Sequence, residues 1–250
     1  MVLYYLESNI GKKRVLNEDS CGHCLSADGS VHFFIVADGM GGHNAGEIAS
    51  RIAVDTFIDR ASAFDASNIR QSSLPDRLSN FIRDTVFTID RKIIKSARSK
   101  EGCFGMGTTA IMCALFGKTV VIGNVGDSRA YIVNKITGIK QITVDHSFVE
   151  ELVRSGQISR EEMEKHPKKN AITRALGFLE EEGADIFVKN LARGERLLLC
   201  SDGLNSMVPD EKIEEIVNRS GFVKSACKKL IECANNNGGA DNITVAIIQP

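Results

Sequence analysis

Three apolar runs of this sequence each finish on an aspartate followed by a turn-forming residue: FFIVADG at Asp38-Gly39, VIGNVGDS at Asp127-Ser128 and LLLCSDG at Asp202-Gly203. A fourth run, Ile243-Thr244-Val245, begins just after Asp241-Asn242. One such Asp is commonly a turn former. Four together ask for more, because clustered like charges repel unless a cation sits between them. In an antiparallel sheet the end of one strand lies beside the start of its neighbour, so one rim of a sheet sandwich can gather all four. Oxygen ligands without His or Cys suit Mg2+ or Mn2+. Asn17-Glu18-Asp19 adds two acids, with Arg14 just upstream. In a solvated Lys12-Lys13-Arg14 run that arginine needs no special account. Opposite a metal cluster, its guanidinium has the shape of a bidentate clamp for a phosphoryl group.

Other chemistries fail on spacing. Gly39-Met40-Gly41-Gly42 follows an apolar run, but the third glycine of a dinucleotide fingerprint falls on Asn44, and Asp38 places negative charge at the pyrophosphate. No P-loop motif and no G-x-S-x-G elbow occurs, and no Cys is followed six positions later by Arg. Asp145-His146 reverses the order of a metal-binding His-Asp doublet. Cys21-Gly22-His23-Cys24 has thiol–disulfide spacing, yet no helical pattern follows it, so it reads equally as two thiols at the start of a strand. No second C-x-x-C completes a four-cysteine zinc site.

The elements that must carry these acids are legible from periodicity. Strands are expected over 31–38, 108–116, 119–127, 128–134, 196–202 and 243–249, all rich in Val and Ile and bounded by Gly, Asp and Asn. Gly117-Lys118 reads as a tight hairpin turn between two of them. Helical spacing appears over 45–60 (Ala45, Ala49, Ala53, Phe57, flanked by Ile48 and Ile52) and over 75–97 (Leu78, Ile82, Val86, Ile89, Ile93). Ser159 and Glu162 have capping-box spacing for a short helix that Pro167 must end, and a last helix is expected over about 222–235. Helices around many strands suggest an α+β layered fold. Without repeats or a Pro-rich linker, the 250 residues are expected to form one domain.

Composition narrows the setting. With 31 Lys+Arg against 32 Asp+Glu, the net charge of −1 offers no field to draw in nucleic acid or an anionic membrane. No stretch approaches the roughly 20 apolar residues of a membrane span, and the N-terminus does not look like a secretion signal. Seven scattered cysteines, several inside apolar runs, suit a reducing cytoplasm.

The motifs together resemble the metal-dependent Ser/Thr protein phosphatases of type 2C (the PPM family), in their bacterial form. The matching stretches are Arg14-Val15-Leu16-Asn17-Glu18-Asp19, VADGMGGHNAGEIAS (36–50), Gly107-Thr108-Thr109, NVGDSRAY (124–131), TVDHSFVEEL (143–152), HPKKNAITRALG (166–177), LLLCSDGL (197–204) and DNITVAII (241–248), in the family's order. The resemblance implies an αββα sandwich of two antiparallel β-sheets flanked by helices. It implies that Asp38 bridges two Mn2+ or Mg2+ ions and that the Gly39 carbonyl binds one. Asp202 and Asp241 would complete one shell, and Glu18 or Asp19 would hold the other ion directly or through water. Asp127 corresponds to the ligand of a third, weaker ion, Arg14 to the substrate-phosphate ligand, and 147–172 to a mobile flap made of two short helices and a loop. Where animal members carry a candidate general-acid His after the Asp-Gly pair, this sequence has Met40, and the nearest histidine, His43, is the candidate proton donor, with a solvent-facing or supporting position as its alternative. The implied reaction is hydrolysis of phosphoserine or phosphothreonine in proteins by in-line attack of a metal-bridging water. The implied context is a monomeric enzyme opposing a Ser/Thr kinase. An inactive, phosphoprotein-binding relative is the competing reading, although no acid of the cluster is missing.

Overall fold

The computed structural model describes residues 2–41, 45–99, 101–179 and 183–250. One sheet has the order β1 (Leu3–Asn9), β11 (Ile243–Gln249), β10 (Arg196–Cys200), β7 (Arg129–Asn134), β8 (Gly138–Gln141). The other runs β2 (Asp19–Leu25), β3 (His32–Met40), β5 (Ala110–Phe116), β6 (Thr119–Val125), β9 (Asp185–Asn190), with the short β4 (Gly107–Thr108) pairing the end of β3. All pairings are antiparallel.

Both faces of the central strands are covered, which is why their sequences are apolar throughout rather than alternating. Along β3, Phe33, Ile35 and Ala37 face helices α1 (Gly46–Ser62) and α2 (Leu74–Ser99), while Phe34 and Val36 face the opposite sheet. Along β11, Ile243, Val245 and Ile247 meet α6 (Asp210–Arg219) and α7 (Val223–Asn236), while Ala246 and Ile248 join the layer between the sheets. The result is the αββα sandwich. Leu78, Ile82, Val86, Ile89 and Ile93 of α2 are all buried, as their spacing requires. Among the described residues no helix is long and apolar enough to cross a membrane.

Three expected strands stop or start differently near the site. The run expected to end at Asp127 leaves the ladder after Val125, because Gly126 adopts φ +106° and turns the chain out of the sheet. Its neighbour begins at Arg129, so Asp127 and Ser128 form the bend between them. The run expected to reach Asp202 ends at Cys200, and Asp202 opens the short helix α5 (Asp202–Asn205). The Gly117-Lys118 hairpin is formed, with Phe116 opposite Thr119. So is the capping box: the Ser159 hydroxyl accepts from Glu162 N–H and the Glu162 carboxylate from Ser159 N–H, opening α4 (Arg160–Lys165). Together with α3 (Phe148–Arg154) this gives two short helices over 147–172, and a bridge between Ser147 and Ile172 draws the ends of that segment together.

Candidate metal and phosphate site

The β2–β3 register sets Asp19 directly opposite Asp38, at the end where β3 meets α1. Asp19 is buried, and its Oδ2 accepts hydrogen bonds from Ser201 Oγ (2.7 Å) and Thr244 Oγ1 (2.6 Å), which belong to the other sheet's side of the sandwich. Its Oδ1 has no partner among the described residues. Burial, with help from the charges of Asp202 and Asp241, pushes this carboxyl up to about 6, although both hydroxyls pull the other way. Asp202 likewise has a buried Oδ1 without a partner, and burial followed by the charge of Asp241 raises its pKa. Asp38 is raised well above the usual carboxylate range, first by burial and then by the charges of Asp19, Asp202 and Asp127. Asp127 is pushed up to about 7 by burial and by the charges of Asp202 and Asp145. Asp38, Asp127 and Asp202 thus lie close enough to disfavour one another's ionisation.

The backbone around Asp38 is held rigidly. Its N–H donates to Thr109 Oγ1 (3.1 Å), and its carbonyl accepts from Thr109 N–H (2.9 Å) and Thr108 Oγ1 (2.8 Å). Thr109 Oγ1 also meets Ser128 Oγ at 2.8 Å, linking the Asp38 strand to the residue after Asp127. Gly39 N–H donates to the Glu18 carbonyl (3.1 Å), and a Cβ at Gly39 would lie 2.1 Å from the Gly46 carbonyl oxygen. Only glycine lets β3 pass so close to the start of α1.

Arg14 reaches across the same rim. Its Nη2 donates to Asp241 Oδ2 at 2.8 Å, and its Nη1 lies 3.6 Å from Glu18 Oε2. The arginine side chain remains 47% exposed, so one edge of the guanidinium is open to a solute. Asn242, which the sequence reading passed over, organises this corner: its Oδ1 accepts from Glu18 N–H (2.8 Å) and its Nδ2 donates to the carbonyls of Ile10 (2.9 Å) and Leu16 (3.0 Å). Ser201 and Thr244 were passed over too. The only signal available for all three was their adjacency to Asp202 or Asp241 in the motifs. His43 lies outside the described residues, as do Gly42 and Asn44.

No three described Asp, Glu, His or Cys side chains close into a finished metal cage. The donor set nonetheless fits a hard divalent cation. Two of its buried carboxylate oxygens lack any partner among the described residues, several carboxyls resist ionising only because like charges and burial oppose it, and every donor is oxygen. Cys21 and Cys24, by contrast, make no redox pair. Cys21 packs toward the layer between the sheets and Cys24 toward the helices, and burial raises both thiols to about 11.

The family model for protein phosphatase 2C matches residues 7–243. The chain is similar to the serine/threonine phosphatase stp of Listeria monocytogenes, with 38% identity over 96% of this chain and 92% of that one. In three dimensions it is similar to the Streptococcus agalactiae serine/threonine phosphatase, with a TM-score of 0.91, 34% identity and 99% of each chain covered. It is also similar to the catalytic domain of the serine threonine protein phosphatase PstP in complex with two manganese ions, with a TM-score of 0.83, 31% identity, and 99% and 97% of the two chains covered.

Proposed function

This chain belongs to the protein phosphatase 2C family, and on that premise we propose that its acidic rim is the centre where a protein serine/threonine phosphatase hydrolyses its phosphoprotein substrates. Asp38 would bridge two Mn2+ or Mg2+ ions, with the Gly39 carbonyl on one of them. Asp202 and Asp241 would complete one shell, and Glu18 or Asp19 would serve the other. Asp127 would hold a third, more weakly bound ion. The ions, when bound, supply an activated water and offset negative charge on the phosphoryl oxygens.

The chain's own residues bind and orient. Arg14, already poised between Asp241 and Glu18, presents its open edge to the phosphate. Ser201 and Thr244 keep Asp19 Oδ2 occupied, which leaves Oδ1 as the free donor. Asn242 fixes the loop that carries Arg14 and Glu18. Hydrolysis adds water across the P–O bond and releases inorganic phosphate and the Ser or Thr hydroxyl, so the protein itself need not supply a nucleophile. The segment 147–172 would act as a flap beside this rim, and a monomeric enzyme opposing a Ser/Thr kinase is the context we infer.

The observation that carries the reading is the pair of buried carboxylate oxygens on Asp19 and Asp202 that have no partner among the described residues. The test is phosphate release from phosphoserine and phosphothreonine peptides after exhaustive chelation, then with Mn2+ or Mg2+ restored. Activity should vanish and return with the metal; full turnover in the chelated protein would refute the metal centre.

A further inference from the structure

The bend that carries Asp127 is gripped by a histidine that lies outside the acidic rim itself. His146 is 6% exposed and stands where the chain enters the 147–172 segment. Its ring Nδ1 accepts a hydrogen bond from Gly126 N–H at 3.1 Å, and its own main-chain N–H donates to the Gly126 carbonyl at 3.0 Å. Both backbone polar groups of Gly126 therefore engage the same residue. Gly126 has little room to shift: its φ is +106°, and a Cβ there would lie 2.6 Å from the Thr109 side chain. An amide N–H can only donate, so Nδ1 is bare and the ring proton sits on Nε2. Nε2 faces Asp185 Oδ2 at 3.3 Å, and the other oxygen of Asp185 receives Arg174 Nη1 at 3.2 Å. The His146 carbonyl accepts from Thr173 N–H (2.8 Å), beside the Ser147–Ile172 bridge. The two ends of the flap segment and the Asp127 bend thus meet at one residue, His146.

A histidine that merely filled space would be replaceable by an apolar residue, since burying an imidazole is unfavourable unless its nitrogens are bonded. Here the Nδ1 bond ends on the residue before Asp127, and Nε2 lies 3.3 Å from the carboxylate that opens the strand after the flap. We propose that His146 is a positioning residue, which locks the Asp127 bend through Gly126 and ties it through Asp185 and Arg174 to the base of the flap. The proposal rests on the metal-centre reading above, in which Asp127 holds the weaker ion.

His146→Leu removes the ring bond to Gly126 and the approach to Asp185, whereas His146→Asn keeps an acceptor near the place of Nδ1. In the metal-free wild type, ring 15N spectra should show the Nε2–H tautomer and the Gly126 amide should exchange slowly. In the Leu variant that amide should exchange faster while β5 amides stay protected. The Mn2+ concentration for half-maximal phosphopeptide turnover should rise about 10-fold to 100-fold, the usual effect of losing a group behind a ligand. Saturating Mn2+ should restore kcat, and the Asn variant should fall within about 3-fold of wild type. An Nδ1–H tautomer, a Leu variant with wild-type Mn2+ dependence, or an Asn variant as impaired as Leu would overturn the proposal. If the Leu variant does not fold, the tautomer and the Asn variant decide. If the wild type shows no Mn2+-dependent turnover, the metal-centre reading fails on its own, and tautomer and amide exchange still uphold or overturn the grip on Gly126.

Discussion

Asp127→Asn should make the metal-free protein more stable, although it removes a carboxylate from the acidic rim. In the folded chain this carboxyl is pushed from the usual 3.8 up to about 7, by burial first and by Asp202 and Asp145 next. A raised carboxyl is tolerated while protonated, so its contribution is intact below its unfolded value and is lost as pH rises through about 7. About three units at about 1.4 kcal/mol each give roughly 4 kcal/mol, which partial exposure of the carboxyl trims to about 2–4 kcal/mol. Asparagine cannot ionise, so the variant escapes that loss. At a conversion of roughly 2–4 °C per kcal/mol for a chain of this size, chelated Asp127→Asn should melt about 5–15 °C above chelated wild type at pH 8. The gap should close toward pH 4–5. Added Mn2+ should stabilise the wild type more than the variant, because binding to the folded state adds stability. Thermal melts of both proteins in chelator across this pH range, with and without Mn2+, make the measurement. If Asp127 were simply a turn former, its replacement would cost about 1 kcal/mol at every pH above its ordinary titration. A variant that is less stable at pH 8, or a gap that ignores pH, would refute the electrostatic account.

Asp38→Asn should lower kcat with saturating Mn2+ by at least about 1000-fold, the equivalent of roughly 4 kcal/mol, and near-wild-type turnover would remove its bridging role. Arg14→Ala should raise KM for a phosphopeptide about 10-fold to 100-fold, the worth of a charge-assisted bond, with unchanged kinetics returning Arg14 to a merely solvated position. Gly39→Ala should destabilise the fold by about 3 kcal/mol or more and abolish turnover, because the added Cβ meets the Gly46 carbonyl oxygen at 2.1 Å, backbone against backbone. An Ala variant that melts like wild type would show that β3 and α1 can move apart.

The sequence by itself determined what depends on neighbours along the chain. Apolar runs marked the central strands, period-3.6 spacing marked α1 and α2, Ser159 and Glu162 marked a helix start, and the motif order marked the family and the acids at the strand ends. The edges of the sheets escaped it. LYYLESN (β1) and DIFVKN (β9) are half-exposed and lack a long apolar run, and pairing with β11 and β6 is what makes them strands. Only the tertiary structure joined Arg14 to Asp241, 227 residues apart, and set Asp19 beneath the hydroxyls of Ser201 and Thr244. It also closed His146 onto Gly126 and separated Cys21 from Cys24 across a strand. The physical reason is that a residue type states which bond or charge a side chain can offer. Whether that charge is buried, repelled or paired depends on two sheets closing over it, and the residues that decide this come from opposite ends of the chain.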